Sequence, residues 1–124
     1  MTQNDYDAAV AARTQSLFRE VNERIREIND VFAGIVPLGD WACECADTAC
    51  TERILLNMDE YEVLRGDPTT FAVAPAKEHV FPEIEDVVVQ KDRFWVVRKR
   101  GMAGQLATKA DRRGNGRTEI ANPS

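Results

Sequence analysis

Hydrophobic positions fall into two regimes along the chain. From residue 5 to 33, Val10, Leu17, Phe18, Val21, Ile25, Ile28 and Phe32 recur mostly at steps of three, four and seven. That period predicts one long helix. Asn4 and Asp7 suit its start and Gly34 its end. Arg19, Glu20, Glu23, Arg24, Arg26 and Glu27 are assigned to the opposite face, with Glu20–Arg24 and Glu23–Arg26 as pairs along the helix. A helix of about 28 residues runs about 40 Å, long for a small domain. Its apolar stripe therefore has two candidate partners: the domain's own core, or a second copy of the chain through self-association of helix 5–33.

Beyond Gly34, Pro37 and Gly39 the pattern shortens. Residues 52–56 read as a strand. Asn57, with Glu60 three positions on, predicts a capping box for a helix from Met58 to Arg65, which Gly66 and Pro68 terminate. Residues 69–74, 86–90 and 94–99 read as further strands, the last two joined by a turn over Lys91, Asp92 and Arg93. Both faces of that hairpin carry apolar residues, so cover is expected on both, from the long helix and from the cysteine-bearing half. After residue 100, large apolar groups become scarce. The expectation is an α+β domain over residues 1–100: a long N-terminal helix packed on a small antiparallel sheet, followed by a flexible basic tail over 101–124.

Composition adds charge to this picture. The 124 residues are 44% hydrophobic and 30% charged, with a formal net charge of −5. The charge is uneven. Residues 98–124 hold seven basic groups (Arg98, Lys99, Arg100, Lys109, Arg112, Arg113 and Arg117) against two acidic ones, whereas residues 1–97 hold nine against nineteen. An acidic body disfavours nucleic-acid binding by the body itself and leaves the tail as the segment for a weak phosphate contact. No apolar run approaches a membrane span, and the N-terminus has no apolar leader core; the expected location is cytoplasmic, with no membrane contact.

The candidate chemistry lies in residues 41–50, Trp-Ala-Cys-Glu-Cys-Ala-Asp-Thr-Ala-Cys, which contain all three cysteines. In an extended segment Cys43 and Cys45 face the same side, Glu44 faces away, and a turn through Asp47 and Thr48 returns Cys50 to them. The only histidine, His79, supplies a fourth ligand, with Asp47, Glu78 or water as alternatives. Three thiolates and an imidazole suit Zn²⁺ in a closed tetrahedral site, a staple on the cysteine hairpin. Buried free thiols are the plain alternative.

The run Trp41-x-Cys43-Glu44-Cys45-Ala46-Asp47-x-x-Cys50, with Glu60-Tyr61-Glu62-x-x-Arg65, Pro68-x-x-Phe71 and Glu78-His79, resembles a set of small uncharacterised bacterial proteins. The resemblance spans roughly residues 11–99 and implies a shared metal-binding fold, without implying an activity. In that set the histidine follows a Pro-Gly pair, where this chain has Pro75-Ala76-Lys77-Glu78. The expected function is a non-enzymatic, zinc-stabilised interaction or regulatory module that acts through a protein or nucleic-acid partner. The alternatives are a redox- or metal-responsive zinc switch and a zinc hydrolase with Glu44 or Glu78 as base.

Overall fold

A computed structural model of the chain describes residues 3–113. The order of elements is α1 (Gln3–Phe32), β1 (Gly39–Ala42), β2 (Arg53–Leu56), α2 (Met58–Arg65), β3 (Thr70–Val73), a single 3-10 turn (Lys77–His79), β4 (Glu85–Gln90), β5 (Trp95–Lys99) and α3 (Gly101–Ala110). The protein is thus α+β, with a long N-terminal helix and antiparallel strands. The strands form two small sheets where one was expected: a β1–β2 hairpin, and a three-stranded sheet in the order β3–β5–β4. Asn57 caps α2 as its sequence predicts: its side chain accepts from the Glu60 amide at 2.7 Å, and Glu60 accepts from the Asn57 amide at 2.9 Å. The helix already includes Asn4, so Asn4 does not cap it.

The two sheets are joined by residues 43–45. The Cys43 amide continues the hairpin to the Glu52 carbonyl, and the next amide, of Glu44, donates across to the Ala72 carbonyl on β3 at 2.8 Å. The main core lies around this junction. Trp41 and Tyr61 stack there with centroids 4.1 Å apart, alongside Ile54, Leu56, Phe71, Val73 and Val97.

Three expectations require correction. Most of the apolar stripe of α1 turns away from the core: Val10, Leu17, Val21, Ile28 and Phe32 are exposed, Phe18 and Ile25 are half-buried with Ile25 packed against the core, and the buried face is Ala8, Ala11, Ala12, Thr14, Gln15, Arg19 and Asn22. Small residues let the helix axis come close, and the polar ones find buried partners, so packing overrides the hydrophobic count. The paired charges along the helix are likewise absent. Glu20 bonds Arg112, Glu23 bonds Arg65 and Arg113, and Arg26 bonds Glu62, all far away in sequence. The β4–β5 hairpin, finally, is covered incompletely, since Val88 and Val89 are exposed at a bulge in edge strand β4.

Residues 101–110, expected to be flexible, form α3 and pack on α1 and β5. Ala103, Gly104 and Ala107 make the contact. Gly104 suits the close approach there, because a Cβ on it would sit 3.0 Å from the Lys99 carbonyl oxygen and the backbone would have to give by a few tenths of an ångström. Counting large apolar groups misses a helix that docks through small ones. Of the proposed tail cations, Lys99 is buried against Glu85 and Gln15, while Arg98, Arg100, Arg112 and Arg113 pair with Asp67, Asp86, Glu20 and Glu23. Lys99 is therefore no phosphate contact. Arg117 and the remainder of the tail, 114–124, lie outside the described residues.

Candidate metal centre

Extended backbone after β1 sends successive side chains to opposite sides. Glu44 enters the body and is completely buried. Its carboxylate accepts from Arg19 Nε at 2.8 Å and Nη2 at 3.1 Å, from Asn22 Nδ2 at 3.1 Å, and from the Ala72 amide at 2.9 Å. Arg19 also donates to the Thr70 carbonyl and lies over the Phe71 ring. Asn22 clasps Ala42 from both ends, donating to its carbonyl at 2.9 Å and accepting from its amide at 2.8 Å. The residue between the two cysteines is thus locked into α1 and β3, and its neighbours Cys43 and Cys45 are directed the other way, together.

Cys50 returns to them through a turn. Its amide donates to the Asp47 carbonyl at 3.0 Å, and the Asp47 carboxylate accepts from the Ala49 amide at 2.9 Å. An aspartate that bonds the backbone two residues on is a turn former with a mechanism. His79 arrives at the end of the 3-10 turn, whose closing bond runs from the His79 amide to the Ala76 carbonyl at 3.1 Å. Its Nδ1 stands 3.6 Å from Cys43 Sγ and 3.8 Å from Cys50 Sγ. One ligand atom from each of Cys43, Cys45, Cys50 and His79 lies within 4.8 Å of all the others, a group that could hold a metal ion. The structure thus brings together all four residues singled out from the sequence, and leaves Asp47 engaged with its own turn. None of the three cysteines is in a disulfide.

Electrostatics favour charge on one sulfur of this cluster. Cys45 is drawn down to about 5, first by its hydrogen bond with Cys43 and then by His79, against the opposing effect of burial. Cys43 is pushed up, chiefly by the same bond, and Cys50 is pushed up by burial. A metal would be needed to hold three thiolates, since crowded like charges repel. The Ala74 amide donates to Cys43 Sγ at 3.2 Å, the kind of backbone contact that steadies a thiolate ligand. Cys43 and Cys45 are buried, while Cys50 and His79 are half-buried. A cleft lined by Tyr6, Val10, Cys45, Glu78 and His79 opens beside them.

Compared with known proteins, the chain matches no family model, no curated protein and no solved structure. The chemistry is read from the geometry alone. Arg19 and Asn22 are the residues of this site that the hydrophobic pattern does not mark. The available signal is the run Gln15, Arg19, Asn22 at steps of four and three, a polar stripe on a helix face otherwise made of alanines and Thr14.

Proposed function

We propose that Cys43, Cys45, Cys50 and His79 hold one structural Zn²⁺, and that the chain is a non-enzymatic zinc-stabilised module acting through a partner. The observation that carries this is the spacing of the ligand atoms. Zinc bonds of about 2.3 Å to sulfur and about 2.05 Å to nitrogen, at tetrahedral angles, separate the two atoms by about 3.6 Å. The sulfur–nitrogen separations of 3.6 and 3.8 Å match that edge. Four protein ligands close the shell and leave no place for a reacting water. Glu44, which stands between two of the ligands, is bound to Arg19, Asn22 and the Ala72 amide, which removes it as a base.

The test is metal content. Purified protein is expected to carry one zinc per chain, and His79→Ala to carry well under one after dialysis against a mild chelator. A full equivalent in that variant would dismiss the ligand set. Turnover of a substrate, lost on Cys45→Ser, would dismiss the non-enzymatic reading.

The half-exposed positions of Cys50 and His79 favour a second reading as a redox switch. Hydrogen peroxide would oxidise two neighbouring thiolates to a disulfide, itself reduced to water, and two ligands would be lost. Zinc release on peroxide treatment, reversed by a dithiol, is the expected sign. Retention of zinc would argue for a purely structural site.

A further inference from the structure

Only one face of α1 meets the rest of the chain. Its buried positions, 8, 11, 12, 14, 15, 19 and 22, centre about 140° around the helix from Val10, Leu17, Val21 and Ile28 at 100° per residue. Those four are between 46% and 61% exposed, and Val31 beyond them is 75% exposed. From 17 onward the outer stripe runs 17, 21, 24, 28, 31, alternating four and three, and Val10 precedes it by one heptad. This is the repeat of a seam that one helix presents to another.

The charges beside the stripe select an occupant and an orientation. Arg19, Glu20, Glu23 and Arg26 are all paired within the chain. Arg13, Arg24 and Glu27, which border or interrupt the outer stripe, form no ion pair among the described residues. In a parallel pair of α1 helices, Arg24 of each copy would meet Arg24 of the other inside the seam. In an antiparallel pair with Leu17 opposite Val21, the layers are Leu17–Val21 and Val10–Ile28, each made twice, and Arg24 comes opposite Thr14, which is buried within its own chain, so Arg24 lies at the margin of the contact. The same register sets Arg13 of one copy beside Glu27 of the other, again twice. Glu20 then lies near the two-fold axis, where Arg112 of its own chain already bonds it. A shift by one heptad would set Glu20 beside Glu27 instead and lose this match. The area is near what a dimer needs: half the circumference of a helix about 11 Å across, over the about 40 Å that overlap in this register, is about 700 Å², close to the share each partner contributes to a standard interface.

We infer that the exposed seam of α1 is a homodimer interface, pairing antiparallel with α1 of a second copy in the register Leu17 to Val21. Sedimentation equilibrium on the full chain tests it. The expected mass is twice the 13.9 kDa of the chain. Leu17→Glu with Val21→Glu, both at exposed sites, is expected to halve that mass with an unchanged circular dichroism spectrum. Arg13→Glu and Glu27→Arg are each expected to weaken the dimer about tenfold, and their combination to restore it, as charge reversal at a matched pair requires. A wild-type monomer at every concentration would overturn the proposal, and so would a dimer that survives the double glutamate change. A chain that dimerises only after removal of residues 114–124 would also overturn it, by showing that the chain covers its own seam. A combined charge reversal as weak as its parts would overturn the register.

Discussion

Glu44 shows how much one side chain can determine here. It sits between two metal-ligand candidates, yet all its bonds run to α1 and β3. Removing one partner of a buried pair leaves the other charge without compensation, at about 3–5 kcal/mol. Arg19→Ala is therefore expected to lower unfolding stability by about that amount in urea titration, far more than Arg24→Ala on the exposed side. Glu23 offers a pH-dependent counterpart. Burial alone would raise its carboxyl, but hydrogen bonds from Arg113 and Tyr61 and the charge of Arg65 hold it at about 2, below the ordinary 4.5. A depressed carboxylate stabilises the fold above about pH 4.5, and that contribution fades as pH falls toward 2. The stability gap between wild type and Glu23→Gln is expected to be about 1–2 kcal/mol at pH 6, allowing for partial exposure, and to close by pH 2. Comparing the two proteins cancels any loss of metal in acid. An unchanged gap would show that Glu23 contributes no linked protons.

Much at the level of elements was legible in the sequence. Alternation and turn residues placed β2 to β5 to within a residue or two, and the Asn57–Glu60 box marked α2 because capping is a local rule. The cysteine spacing likewise carried the cluster, since extended geometry alone puts Cys43 and Cys45 on one side. What could not be read was which stripe of α1 turns inward. Periodicity reports that a helix has an apolar face; it does not report that alanines at 8, 11 and 12 permit a closer approach than Leu17 or Ile28, or that Gln15 and Arg19 find buried partners in Glu85 and Glu44. Helix α3 escaped for the same reason, docking through Ala103, Gly104 and Ala107. A direct check is Gly104→Val. The added carbons would meet the Lys99 carbonyl, and overpacking of this kind costs about 1–3 kcal/mol. The expected result is a lower thermal midpoint. Equal midpoints would mean that α3 is not held at that point.

Considered whole, the molecule is drawn together by long-range polar links as much as by its small core. Arg65 reaches Glu23 on α1 and Asp111 just past α3, and Arg113 reaches both Glu23 and Glu62. The acidic body thus keeps much of the C-terminal basic charge for itself. No helix among the described residues is long and apolar enough to cross a membrane. Ending the chain at Arg100 would remove Asp111, Arg112 and Arg113 and uncover one side of α1. Such a truncation is expected to unfold at lower urea with a smaller m-value, because less surface remains to expose. An unaltered midpoint would show that α3 contributes nothing to the stability of the body.

One consequence of the proposed metal centre belongs to polymer physics. Cys43 and His79 are 36 residues apart, and β2, α2 and β3 all lie between them. A bound ion would pin the two ends of that loop. Any opening in which the segment melts while its ends stay joined forgoes the entropy of a free chain, about 3–4 kcal/mol for a loop of this length. Amide hydrogens of α2, none of which touches the metal, are therefore expected to exchange more slowly in metal-loaded protein than after chelation. Because the closure term grows only with the logarithm of loop length, a few residues inserted at Gly66–Asp67 would leave that protection almost intact.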